Sequence, residues 1–256
     1  MPAVSWLSVA PVKGLGLVPR DELALETFGA LENRRFYVID AEGRFVNGLK
    51  HGRLFQVAPA YDARAETLAL RFPDGGAVEA SVEVDGAVAT TFYRRRVEGR
   101  FVLGPFADAL SSFAGEPLRL VQTVEPGAAV DRARGPVSLV SDESVAELGR
   151  RSGRADPDAR RFRMLIGING VAPHGEDEWL GRRVWIGEAV VKLVEQVARC
   201  AITTKDPDTG ERDLDTLRVI KDYRGVRGKK HLDFGVYGTV AEPGRVRVGD
   251  AVEPLG

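Results

Sequence analysis

Ala198-Arg199-Cys200-Ala201-Ile202-Thr203-Thr204-Lys205-Asp206-Pro207-Asp208-Thr209-Gly210 is the stretch on which the reading of this chain turns, because it carries the one cysteine among 256 residues. It follows an apolar run and leads into polar, turn-forming residues. A lone thiol forms no internal disulfide and completes no four-cysteine zinc or iron–sulfur site. It is a buried apolar filler, a nucleophile or a ligand to one metal. Taken without its neighbours, a cysteine behind an apolar strand is most often the filler. Thr203, Thr204 and Lys205, followed by the turn from Asp206 to Gly210, shift the balance toward an exposed edge where a thiolate meets cationic and hydroxyl donors. If the segment is extended, Arg199 and Cys200 point to opposite faces, so Arg199 is not automatically the group that activates the thiol.

Short alternating or apolar runs occupy residues 35–40, 44–46, 54–58, 67–72, 118–124, 137–140, 162–168, 183–186, 189–197, 234–240 and 245–248. Their period and length predict strands. Turn pairs such as Glu42-Gly43, Asn47-Gly48, Asp85-Gly86 and Pro243-Gly244 separate them at short intervals. Many short strands with Gly-rich turns give a mainly β fold, a barrel or a sandwich.

Three short helices interrupt the strands. The first is predicted after Pro105, with Phe106, Ala109, Leu110 and Phe113 on one face and Gly115 as a left-handed stop. The second runs from Asp142 to Arg151, with Ser141 as cap, acids in the first turn and arginines in the last. The third spans Asp215 to Tyr223. Between Glu125 and Gly135 polar and turn residues replace the strand pattern, which predicts a β-rich domain over residues 1–125 and a second over 126–256.

Composition narrows the function classes. Lys plus Arg is 36 against 37 for Asp plus Glu, so no basic surplus exists to hold a nucleic-acid backbone. The N-terminus lacks a charged lead-in followed by an apolar core, and no stretch of roughly 18 apolar residues occurs, so neither export nor a membrane is expected. One unpaired cysteine and 29% charged residues fit a reducing cytoplasm.

Several motifs fail on their spacing. Gly14-Leu15-Gly16 has Pro19 where a dinucleotide fingerprint needs glycine, and residues 225–230 lack the hydroxyl of a phosphate-binding P-loop. Asp206, Asp208 and Gly210 echo a calcium loop, but position 12 is Leu217 rather than a bidentate acid; a capped turn is the better reading. His51, His174 and His231 are far apart and form no zinc pattern. The basic clusters at 94–96, 160–163 and 229–231 are by themselves solvated faces.

Arg199-Cys200, Thr203-Thr204 and the run from Asp206 to Gly210 resemble the signature of MOSC domains, found in molybdenum cofactor sulfurases and in the mitochondrial amidoxime-reducing component. Pro11-Val12-Lys13-Gly14, Arg35 to Ile39 and the Ser138 to Leu148 segment extend the resemblance over nearly the whole chain. It implies a MOSC β-barrel preceded by a smaller β-rich domain, with a molybdenum-molybdopterin cofactor between them. By position Cys200 is then the molybdenum ligand, a role that suits a soft thiolate. Lys13, Arg35, Arg163 and Arg199 match the cofactor-cradling positions, with Tyr237 a further match; cations there suit a ligand carrying a phosphate. Gly14 and Ala198 stand where amidoxime-reducing relatives carry serines, and Met164-Leu165 replaces their Pro-Asn, which removes hydrogen bonds to a pterin.

The resemblance implies, in order of preference, three functions. The first is a molybdenum oxidoreductase for N-hydroxylated or N-oxide small molecules, served by an external electron-donor protein. The second is sulfur transfer, with a persulfide on Cys200 loaded by a separate sulfur donor. The third is a non-catalytic carrier of the cofactor.

Overall fold

A computed structural model describes residues 1–132 and 135–255. The expected domain boundary at 125–135 therefore includes two positions, 133 and 134, outside the described residues.

Among the described residues strands dominate and form four sheets. The largest has eight strands in the spatial order Val252–Pro254, Arg183–Ile186, Ala189–Ala198, Asp233–Glu242, Val137–Ser141, Ile166–Asn169, Ala3–Val9 and Val18–Arg20. A five-stranded sheet runs Val84–Phe92, Arg95–Val102, Leu118–Thr123, Phe36–Asp40 and Val12–Lys13. Two three-stranded sheets, one of Gly244–Arg247, Glu22–Glu26 and Gly29–Ala30 and the other of Ala58–Asp62, Thr67–Arg71 and Ala77–Ser81, complete the set. The mainly β expectation holds.

The chain start belongs to both large sheets. Ala3–Val9 pairs antiparallel with Ile166–Asn169, whereas Val12–Lys13 pairs in parallel with Phe36–Asp40, placing Lys13 opposite Tyr37. The segment from Ala10 to Leu15 thus crosses from one sheet to the other, and it carries Lys13 across the junction. Each sheet has its own apolar core: Leu7, Val137, Ile166, Val191 and Val236 fill one, while Phe36, Leu54, Leu68, Phe106 and Leu118 fill the other.

All three helices form, each ended by its local chemistry. Helix α1 spans Phe106–Ala114 and buries Phe106 and Leu110; Gly115 closes it at φ 77°. Helix α2, Asp142–Ser152, is capped by the Ser141 side chain, which accepts from the Ser144 amide, and is stopped by Gly153 at φ 72°. Helix α3, Thr216–Arg224, takes Asp215 as its cap and buries Ile220.

Three expected strands change character. Residues 54–58 begin as a 3-10 turn, Gly52–Gln56, with pairing starting only at Ala58. A short apolar run without alternation suits a buried turn as well as a strand, which is why the two were not separable. Residues 44–46 contribute a single bridge, Phe45 to Ile39. In 162–168 the chain leaves a 3-10 turn, passes through Arg163 at φ 54° and becomes a strand only at Ile166.

Candidate functional site

A cavity of about 530 Å³ opens where the two large sheets meet, and Cys200 lines it. The cysteine follows the end of the Ala189–Ala198 strand and opens the 3-10 turn Ala201–Thr204. Its side chain is exposed. The Thr203 amide and hydroxyl both donate to the Cys200 carbonyl, at 3.2 and 3.1 Å, which fixes the backbone while leaving the sulfur free.

The residues beyond the thiol do not serve it as the sequence reading expected. Thr203 and Thr204 are buried. A 3-10 turn folds each hydroxyl back onto a carbonyl three residues earlier: Thr204 donates to Ala201 at 2.7 Å, and Thr203 also meets the Thr216 hydroxyl at 2.6 Å. Lys205 donates to the Gly210 carbonyl at 2.9 Å. The Asp206 carboxylate accepts from the amides of Asp208 and Thr209, at 3.0 and 2.8 Å, and so forms the capped turn.

Arg199 and Cys200 border the same cavity despite the extended backbone between them. The Arg199 guanidinium is sunk beneath it, donating to the carbonyls of Phe234 at 2.8 Å and Phe162 at 2.9 Å and to the Met164 sulfur at 2.8 Å. Burial pulls its pKa down to about 10. The Met164 side chain thus supports Arg199, while Leu165 packs into the core of the eight-stranded sheet. Gly14 lines the cavity at φ 98°, a backbone conformation that a serine would adopt only under strain.

Arg163 is the least compensated cation. Its guanidinium donates to the Leu15 carbonyl at 2.7 Å and lies 4.8 Å from the Phe55 ring centre, with no salt bridge among the described residues. Burial, assisted by repulsion from Arg34, pulls its pKa down to about 9, so it is still charged at neutral pH. A guanidinium has five donor hydrogens, so most of its capacity is left for a ligand.

Lys13 and Arg34 share one carboxylate. Lys13 meets Asp131 at 2.5 Å and the Ala129 carbonyl at 2.9 Å, and Arg34 grips the other Asp131 oxygen. Burial opposes ionisation of Asp131, but the charges of Arg34 and Lys13 win and hold it far below the usual carboxylate range. Burial also brings Lys13 down to about 8, against the opposing pull of Asp131.

Of the residues expected from sequence, Lys13, Arg163, Arg199, Cys200 and Tyr237 line this one cavity. Tyr237 is nearly buried, and desolvation raises its phenol pKa. Arg35 does not line it; its guanidinium turns to the Thr123 carbonyl and lies 3.0 Å from the Thr123 hydroxyl. Arg34 stands at the cavity instead, because its left-handed φ of 56° sends neighbouring side chains apart ahead of the Phe36–Asp40 strand. The sequence reading passed over Tyr93 and Asp131, which carry no local motif, and took Arg95 for part of a solvated face, whereas it opens the Arg95–Val102 strand and lines the cavity.

The lining is strongly electropositive: among the described residues, Lys13, Arg34, Arg95, Arg132, Arg163 and Arg199 face a single carboxylate, Asp131. Charge of one sign crowded into a cavity is costly unless a counter-charge arrives, so this lining favours an anion. The donor set fits a phosphate-bearing cofactor whose metal accepts a soft thiolate. The histidines lie elsewhere. His51 pairs with Glu116 at 2.7 Å, and His174 sits between Tyr223 and Arg224. Among the described residues no cluster of three or more His, Cys, Asp or Glu side chains could hold a metal ion, and no helix is long and apolar enough to cross a membrane.

Fold and cavity together define a mainly β protein with an electropositive cavity that an exposed thiol lines. The chain belongs to the MOSC family: residues 115–253 match the MOSC domain and residues 1–117 the MOSC N-terminal beta barrel domain. Human mitochondrial amidoxime-reducing component 1 is 29% identical over 283 residues, an alignment covering 99% of this chain and 83% of the human protein. A molybdenum cofactor sulfurase of Caenorhabditis briggsae is 34% identical over 124 residues, 46% of this chain and 16% of the sulfurase. Among solved structures, the YuaD protein of Bacillus subtilis covers 99% of this chain and 96% of its own, with 15% identity and a TM-score of 0.47.

Proposed function

We propose that this protein is a molybdenum-cofactor-dependent oxidoreductase that reduces N-hydroxylated or N-oxide compounds, with Cys200 as its ligand to the metal. The observation that carries this reading is the meeting, in one cavity, of an exposed thiol with two half-buried arginines, Arg163 and Arg199, that no carboxylate pairs among the described residues. The names of its relatives, an amidoxime-reducing component and a molybdenum cofactor sulfurase, point the same way.

When bound, the cofactor supplies two-electron redox chemistry at molybdenum. The chain's own residues bind and orient. Cys200 offers one soft ligand, Arg163 offers planar paired donors to a phosphate, Arg199 adds positive charge from a guanidinium held by Phe162, Phe234 and Met164, and Lys13 offers a point charge. Phe162 stacks on Phe234 at 4.2 Å and supports Arg199 from below, at 5.1 Å from the Phe162 ring centre. Overall, the substrate N–O bond breaks, two electrons and two protons enter, and the oxygen leaves as water. The electrons come from a separate donor protein.

The test is the molybdenum content of protein from a cofactor-producing host, by elemental mass spectrometry, together with the fluorescence of the oxidised pterin released on denaturation. Near-stoichiometric molybdenum in the wild type that is lost in Cys200→Ser supports the ligand assignment. A metal-replete, active serine variant refutes it. Absence of both metal and pterin overturns the whole reading in favour of sulfur transfer, for which a one-sulfur mass gain on Cys200 is the sign.

A further inference from the structure

The hairpin formed by Val84–Phe92 and Arg95–Val102 pairs Phe92 with Arg95, so Tyr93 and Arg94 alone make its turn. Both have positive φ, 46° and 76°. A two-residue turn of this kind is the natural place for Asn-Gly, and a bulky residue there is strained. Tyr93 is therefore a poor choice for the turn. It is equally absent from the core, being 69% exposed, whereas Phe92 beside it is 2% exposed. Among the described residues its hydroxyl makes no hydrogen bond.

The tip is nevertheless held in place. Phe92 packs edge-on against Phe45 at 4.5 Å and Tyr37 at 4.9 Å, and Arg95 donates to the Val130 carbonyl. Phe45, Phe92 and Tyr93 line the same cavity as Cys200. A strained backbone held by its surroundings, with an unoccupied aromatic face at the mouth of a thiol-bearing cavity, is how a contact residue is presented.

We propose that Tyr93 is a specificity-determining residue, its ring stacking on the planar organic part of a substrate whose reacting end lies toward Cys200, so that flat aromatic substrates are preferred over small aliphatic ones. The inference rests on the reductase reading for the identity of the substrate. The stacking itself is an equilibrium contact and is measured apart from turnover.

The experiment uses the full chain isolated from a cofactor-producing host, titrated by calorimetry with benzamidoxime and with acetamidoxime, in the wild type, Tyr93→Phe and Tyr93→Asn. Stacking predicts tighter binding of benzamidoxime, a loss of about five- to tenfold of that affinity in Tyr93→Asn, retention in Tyr93→Phe, and unchanged acetamidoxime binding. Asparagine tolerates the left-handed turn, so this variant melts at or above the wild-type temperature, which a structural tyrosine would not allow; Tyr93→Gly serves as a second variant on the same logic. Equal binding of both probes by the wild type, failure of the wild type to bind either, or wild-type discrimination in Tyr93→Asn overturns the proposal. Tyr93-dependent binding without reduction of either probe would sink the reductase reading and leave the stacking role standing. Reduction that ignores position 93 would do the reverse.

Discussion

Gly52 and Gly210 lie against each other so closely that a Cβ on either would fall 2.0 Å from the other's carbonyl oxygen. The contact locks the turn after Cys200 onto the segment preceding the Ala58–Asp62 strand, and Gly210 also needs its φ of 71°. Gly210→Ala therefore combines a steric clash with an unfavourable backbone, for a loss of about 2–4 kcal/mol. Urea denaturation should show the lower midpoint, and Gly52→Ala should show a similar fall through the clash alone.

Arg163 should show a trade between stability and binding. It is half-buried without an acid partner among the described residues, so Arg163→Met removes an unpaired charge while losing the guanidinium's contact with the Phe55 ring. The ligand-free variant is expected to be more stable by about 1 kcal/mol, a rise of about 2–4 °C in melting temperature. Its affinity for the cofactor's phosphate should fall by about ten- to a hundredfold, the worth of a charge-assisted hydrogen bond. Calorimetric melting and retained pterin fluorescence read the two effects separately.

Lys13 predicts a pH dependence with a definite sign. Its pKa in the folded protein is about 8, below the unfolded value near 10.4. Below pH 8 both states carry the proton, and the folded protein bears the full cost of a buried ammonium. Between about 8 and 10.4 the unfolded chain holds more protons, so ligand-free stability rises with pH through that window. Anion binding should follow the opposite course, weakening above pH 8 as the charge is lost. Stability and phosphate-binding curves between pH 6.5 and 10 should both lose their Lys13-dependent change in Lys13→Met.

The parts of the site that were legible in sequence are those whose chemistry is local. The Asp206 turn, the Ser141 cap and the glycine stops at 115 and 153 each follow from residues within a few positions. The Ala3–Val9 strand was hidden because a register shift between Val4 and Trp6 breaks its alternation. Lys13, Arg163, Arg199, Cys200 and Tyr237 were reached through the family resemblance, and the contacts that join cavity residues over long distances left no trace. Lys13 and Asp131 are 118 residues apart, and no short pattern announces a carboxylate that two cations share. Backbone sign was equally invisible: Arg34, Tyr93 and Arg163 all reach the cavity from left-handed positions that sequence would assign to glycine or asparagine.

The adjacent pair Arg34 and Arg35 turns that last point into a test. The two differ by one position and share a charge, yet only Arg34 enters the cavity, where it holds Asp131 and reaches the Arg163 carbonyl at 3.4 Å. Arg35 instead ties the Phe36–Asp40 strand to Thr123. Arg34→Ala leaves Asp131 with Lys13 as its one cationic partner among the described residues and removes a positive charge from the lining, so pterin retention should drop by about tenfold or more. Arg35→Ala should cost about 1 kcal/mol of stability from lost hydrogen bonds and leave pterin retention unchanged at equal folded concentration. Equal loss of pterin in the two variants would mean that both arginines serve the ligand and that the outward course of Arg35 is not the one the bound state uses.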